Sequence, residues 1–388
     1  MTPGRVSMEW GGATNGHLAD EAKRLGSRPL VVAGSSLAKS GILDAILASL
    51  HKAGLSPTVH TGVPPEPDLD ALQAAMNAAE GADSVIAIGG GSVLDVAKGA
   101  AALGGTGHDA RAYHSGKVNV PETVSRPILA VPTTAGTGSE ATWVGVYTDK
   151  EAKRKASIRG GAMMPVTAFL DAELTVSCPP AVTAYSGMDA FVQAVEAYTS
   201  IGANPLTDSL SGKATKLISD SVVNAFGAPQ SRQPREDMLL GSYLAGVALN
   251  TSRLGLVHGL AHPIGAITGA PHGLLCGLLM PAVTRFNAMS DLGNDPIRFM
   301  TGMKYDQIAS GIIMFAENYM TGLGAETVAK YSERILRMLE IPSRLSEIGL
   351  REEHLDAVAK EAMSSGSTKA NPRPVTEADA RAVLESCL

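Results

Sequence analysis

Residues 84–99 read SVIAIGGGSVLDVAKG. Val85 to Ile88 make a short apolar run without the polar alternation of a half-exposed strand, so it reads as a strand buried on both faces, as in parallel sheets. The run stops at Gly89, Gly90 and Gly91, and Ser92 to Gly99 reads as a helix. Glycines let the backbone pass close to an anion, and a helix amino terminus offers unpaired N–H groups and a partial positive charge, which suits a pyrophosphate. The segment is not the G-x-G-x-x-G fingerprint, and turns after strands often contain glycine, so the motif alone is a weak signal. Its place at the carboxyl end of a buried strand, where open α/β sheets bind ligands, strengthens the ligand reading.

The same rhythm extends to either side. PLVVAG (29–34), TVHTGV (58–63), PILAVPTTAG (127–136) and TAFLDAEL (167–174) read as strands, with helices over 42–53 and 68–79 between them. Strands alternating with helices argue for a parallel sheet covered on both faces. From Pro179 onward the pattern is helical with no convincing strand, and the Pro179-Pro180 pair is a natural boundary. The expectation is an α/β dinucleotide-binding domain over 1–179 followed by an all-helical domain over 180–388. In PTTAGTGSE (132–140) a strand runs into small hydroxyl residues and glycines that can donate to a ligand, although such a loop can equally satisfy its own backbone.

The helical half holds one unusual stretch, LGLVHGLAHPIGAITGAPHGLLCGLLMPAV (254–283), with three histidines and no Asp, Glu, Lys or Arg. It is long enough to resemble a membrane span, but its histidines, glycines and prolines argue for burial inside protein. His258 and His262, four residues apart, share a face if helical, and His272 follows a Gly/Pro break at 269–271. A buried imidazole needs partners. Singly, each is most simply a hydrogen-bonded core residue. Together they ask whether a carboxylate completes a metal site, and Asp189 in SGMDAFVQAVEAYTS (186–200) is a candidate.

Four motifs in order, GGGSVLDVAK (89–98), PTTAGTGSEAT (132–142), GMDAFVQAVEAY (187–198) and HGLAHPIGAITGAPHG (258–273), resemble the iron-containing, group III alcohol dehydrogenase family. The resemblance runs from MEWGGATNG (8–16) to NPRP (371–374). It implies the dehydroquinate synthase-like architecture, a nicotinamide dinucleotide in the first domain, a divalent metal on the second, and substrate reacting between them. Residue by residue, it implies Gly89, Gly90, Gly91 and Ser92 at the pyrophosphate, with Asp95 and Lys98 as supports. Thr133, Thr134 and Thr137 would lie beside the phosphates and nicotinamide half, Val146 would join the cofactor site, and Lys155, in the mixed-charge turn 150–155, would lie near the nicotinamide ribose. The family's metal ligands imply Asp189, position 193, His258 and His272, with Fe(II) the first ion and Mn or Zn as others; His262 would relay a proton. The family also implies a homodimer.

Two departures bear on chemistry. NAD-preferring relatives carry an Asp after the first strand where this chain has Gly34, so a 2'-phosphate is not repelled, and Ser35, Ser36 and Lys39 are at hand to receive it. NADP is thereby favoured over NAD, while Glu66, where the family often has Asn, works the other way. The second is Gln193, in place of the family's histidine. An amide oxygen is a harder, weaker donor than imidazole, which turns the site toward Mn or Mg and keeps open a metal-free, maleylacetate reductase-like chemistry or a dinucleotide-binding protein without catalysis.

Composition narrows the alternatives. Hydrophobic residues at 45% suffice for a large core, and a net charge of -6 without a basic run argues against nucleic acid. Three scattered cysteines, Cys178, Cys276 and Cys387, fit a reduced compartment, and Cys276 reads as a small buried hydrophobe. The amino-terminal MTPGRVSMEWGG lacks the apolar core of a signal peptide, so the cytoplasm is expected. Ser139 lacks the G-x-S-x-G context of a hydrolase nucleophile.

Overall fold

Strand β4 (Ser84–Gly89) lies between β5 (Ile128–Pro132) and β2 (Pro29–Ala33). The sheet continues through β8 (Thr167–Asp171) to β1 (Arg5–Glu9) on one side and to β3 (Thr58–His60) on the other, with every pairing parallel. The computed structural model describes residues 2–152, 154–288, 296–312 and 322–388. The chain forms two compact units, Met1–Thr134 with Gly138–Cys178, and Ala135–Thr137 with Pro179–Leu388. Among the described residues no helix is long and apolar enough to cross a membrane.

In the first unit the strands point alternate side chains into two cores, which is why they read as unbroken apolar runs. Leu30, Val32, Val85, Ala87 and Ala130 pack with helices α2 (Leu69–Ala78) and α3 (Gly91–Leu103). Val31, Ala33, Ile86, Ile88 and Val131 pack on the other face with α1 (Ile42–Lys52). The helices that follow β2 and β4 therefore lie on opposite faces of the sheet. Chain order also reverses here: β2 leads outward to β3, and the chain then returns to β4 on the other flank of β2. The carboxyl ends of β2 and β4 form the switch point of the sheet, the place where open α/β sheets leave a crevice for a ligand.

Two features were not legible in sequence. Edge strand β1 is largely exposed and charged, so it offers no apolar run. The antiparallel hairpin of β6 (Val144–Asp149) and β7 (Arg154–Arg159) buries only one face, and its polar residues hide the pattern. Lys155 accordingly sits on a strand, paired opposite Thr148, and not in the expected turn.

The loop after β5 is fastened to α3 by a buried cation. Lys98, fully buried, donates to Ser139 O at 3.0 Å, to Thr142 Oγ1 at 3.0 Å and to Val144 O, and its ammonium is 3.1 Å from the Asp95 carboxylate. Asp95 also accepts from the Val146 N–H at 2.9 Å. Burial alone would make such a charge prohibitive, and the surrounding oxygens offset it.

Glu140, in the same turn, is also buried, and one of its oxygens has no hydrogen-bond partner. Burial pushes its pKa up to about 7 from 4.5, against the pull of its own backbone N–H and Lys98. The folded chain thus holds this proton to about pH 7 while the unfolded chain loses it near 4.5. The resulting stability is fully present below about pH 4.5 and is lost as pH rises through 7. Glu140→Gln is expected to flatten the change in urea midpoint across this range and to raise the midpoint above pH 7. An unaltered pH slope in the variant would show that Glu140 is not the group responsible.

Candidate functional site

Helix α4 (Pro180–Thr199) begins with proline at its first turn and is buried along most of its length. Asp189, Gln193 and Glu196 stand on one face of it, at i, i+4 and i+7, each no more than 4% exposed. Glu196 holds the start of α7 (Leu256–Thr268), the helix that follows α5 (Pro205–Gly227) and α6 (Arg232–Ser252). Its carboxylate accepts from the Gly255 N–H at 2.9 Å and the Val257 N–H at 2.7 Å, taking up donors that a helix start leaves unpaired. Asn371, the first residue of NPRP, accepts from the Leu256 N–H at 3.1 Å.

The same carboxylate lies 2.7 Å from His258 Nδ1. It fixes the ring so that Nδ1 carries a proton and Nε2 faces the other way. His258 Nε2 is 3.4 Å from Asp189 Oδ1 yet forms no hydrogen bond with it. Helix α8 (His272–Ala288) then brings His272 Nε2 to 3.7 Å from the same Oδ1. The approach requires Gly273, because a Cβ there would lie 2.0 Å from the Tyr185 carbonyl oxygen. His262 stacks on His272 with ring centroids 5.0 Å apart.

Three buried polar atoms, Asp189 Oδ1, Gln193 Oε1 and His258 Nε2, have no hydrogen-bond partner. Buried polar atoms are rarely left so, and unfilled valences of this donor type fit a metal ion. Gln193 Nε2 donates to the Gly136 carbonyl at 3.5 Å, which Ser242 also reaches at 3.0 Å, so this piece of the PTTAGTGSE loop belongs to the second unit.

Burial opposes the charge on Asp189, but the His272 and His258 rings and the Gln193 amide outweigh it and hold the carboxyl below its ordinary range. Burial also opposes a charged His258, yet Cys276, Asp189 and Glu196 raise its pKa well above the usual value. A charge-separated cluster of this kind is what a divalent cation would take over, with the imidazoles giving up their protons.

In the first unit, Gly34 and Gly89 end adjacent strands, and the Gly34 N–H donates to Ile88 O at 3.1 Å. Gly89 permits the tight turn into α3, since a Cβ would fall 2.6 Å from Val93. Gly90 precedes α3 without any side-chain cap, leaving the N–H groups around Gly91 and Ser92 open at the switch point. Thr133 donates its N–H to Gly89 O at 3.0 Å, and Thr134 neighbours Gly90. Glu66 and Lys155 form an ion pair with each other. Thr137 lies in the second unit.

A model of the iron-containing alcohol dehydrogenases matches residues 3–172, and one of the carboxy-terminal part of the Fe-containing alcohol dehydrogenase family matches residues 183–388. The chain belongs to the iron-containing alcohol dehydrogenase family. It is 34% identical to the lactaldehyde reductase of Escherichia coli (strain K12) over 94% of this chain and 93% of that protein. It is 32% identical to the NAD-dependent methanol dehydrogenase of Bacillus methanolicus, over 94% of each. The solved structure of an alcohol dehydrogenase from Oenococcus oeni superposes with a TM-score of 0.91 at 32% identity, covering 100% of this chain and 99% of that one. These relatives are alcohol and aldehyde oxidoreductases.

Two members of the cluster escaped the sequence reading. Cys276 was expected to be a small apolar filler, but its Sγ lies 3.6 Å from His272 Nε2. The donor atoms of Asp189, His258, His272 and Cys276 all lie within 4.8 Å of one another. Its signal was the spacing of four from His272, masked by the apolar run. Glu196 was legible only as a carboxylate seven residues beyond Asp189.

Proposed function

We propose that the protein is an NAD(P)-dependent alcohol dehydrogenase or aldehyde reductase, acting in the cytoplasm as a homodimer on small aldehydes and on primary alcohols or diols. Asp189, His258 and His272, with Gln193 beside them, would hold a divalent ion, Fe(II) first and Mn or Zn as alternatives. The observation that carries the reading is the trio of unpartnered buried atoms on Asp189, Gln193 and His258. When bound, the ion supplies Lewis-acid polarisation of a carbonyl oxygen and the nicotinamide supplies the hydride.

The chain's own residues do the positioning. Glu196 keeps the His258 Nδ1 proton in place and so presents Nε2. His262, stacked on His272, can pass the proton that the reduced carbonyl oxygen takes up. Gly89, Gly90, Gly91 and Ser92 would cradle the pyrophosphate at the start of α3, with Thr133 and Thr134 against Gly89 and Gly90 and Val146 held by Asp95. Asp95 and Lys98 stiffen that loop, and the Glu66–Lys155 pair would border the ribose.

Metal content and chelation test this reading. Aldehyde-dependent oxidation of NAD(P)H is expected to fall at least about tenfold on chelation and to return with Fe(II). Asp189→Asn should remove both metal and turnover. Chelator-resistant turnover would decide for a metal-free reductase acting on an activated keto acid; dinucleotide binding without any turnover would decide for a binding protein.

Gly34 carries the cofactor preference. A Cβ at this position meets Val93 at 3.6 Å and Ser36 Oγ at 3.9 Å, both ordinary contacts, so the backbone accepts a side chain here. Gly34→Asp is expected to lower kcat/KM for NADPH relative to NADH by about tenfold or more, through repulsion of the 2'-phosphate. An unchanged ratio would place the adenosine ribose elsewhere.

A further inference from the structure

We propose that Cys276 is itself a ligand of the bound ion, its thiolate standing in for the imidazole that the family pattern places at position 193, and that it turns the site toward thiolate-binding ions such as Fe(II), Co(II) and Zn(II). The inference rests on the reading that this cluster binds a metal. Its ground is the spatial arrangement of four donors. His258 Nε2 and His272 Nε2 lie 3.4 and 3.7 Å from Asp189 Oδ1, and Cys276 Sγ lies 3.6 Å from His272 Nε2. A tetrahedral ion with bonds of about 2.0–2.3 Å to oxygen, nitrogen and sulfur has ligand–ligand edges of about 3.3–3.6 Å. Two of these distances fall in that range and the third, 3.7 Å, lies just beyond it, before any ion is added.

Chemistry points the same way. With Gln193 replacing histidine, Asp189, His258 and His272 supply one strong donor fewer than the family pattern of one carboxylate and three imidazoles. Cys276 is fully buried and lies in α8 one helical turn after His272. A thiolate there brings the protein donors back to four. Binding would release the thiol proton to solvent, so the step balances without any redox partner. Soft sulfur in place of the hard amide of Gln193 reverses the preference for Mn or Mg that Gln193 as a ligand would impose.

The test is Co(II) binding to the purified full-length protein freed of metal, read by absorption. The parent is expected to show tetrahedral d–d bands together with a near-ultraviolet thiolate-to-cobalt charge-transfer band. Cys276→Ser should keep the d–d bands, lose the charge-transfer band, and bind Zn(II) at least about tenfold more weakly. Zinc K-edge absorption on the unmodified protein removes any dependence on how the variant folds; it should show one sulfur scatterer at about 2.3 Å. Cobalt bound in the parent without a charge-transfer band, or a zinc shell of nitrogen and oxygen alone, would overturn the role of Cys276 and leave the metal site standing. No binding of either ion would remove both.

Discussion

Two carboxylates on one face of one buried helix set the terms for the second unit. Asp189 and Glu196, seven residues apart on α4, are each at most 4% exposed. Unpaired charge at that depth is not tolerated, so other elements must bring it partners. Glu196 draws in the start of α7 by its backbone N–H groups and the His258 ring. Asp189 then has His258 and His272 before it, and Gly273 makes room for the second of these. The placement of the histidines follows from the partner that Glu196 supplies, as much as from the apolar packing of the helices around them.

The first unit solves a different problem with little charge. Its strands are apolar on both sides, and the ends of β2 and β4 meet where chain order reverses. Small residues there leave backbone N–H groups uncovered, which suits an anion. The buried Lys98, paired with Asp95, fastens the hydroxyl-rich turn at Ser139 and Thr142 to α3.

What could be read in the sequence depended on how directly burial writes itself into residue type. The central strands of the sheet were legible because both faces are covered, whereas β1 interleaves Val6 and Met8 with Arg5, Ser7 and Glu9, and β6 buries Gly145, Tyr147 and Asp149, so neither offers an apolar run. His258, His262 and His272 stood out because imidazole is conspicuous in an uncharged stretch. Cys276 did not, since a thiol in an apolar run looks like any small hydrophobe until its neighbours in space are known. Lys155 shows the same kind of limit: a run of charge suggests a turn, and here it begins strand β7. Glu196 shows the limit most clearly, because its role lies in three contacts with residues about sixty positions further on, and no local pattern encodes them.

The claim on which the account turns is that a divalent ion sits where the orphaned atoms of Asp189 and His258 converge with His272. Diffraction from iron-loaded crystals, recorded on both sides of the iron absorption edge, addresses it directly. The account predicts a single strong anomalous peak within bonding distance of Asp189 Oδ1, His258 Nε2 and His272 Nε2. A map with no peak there, or with iron bound only at the surface, would contradict it.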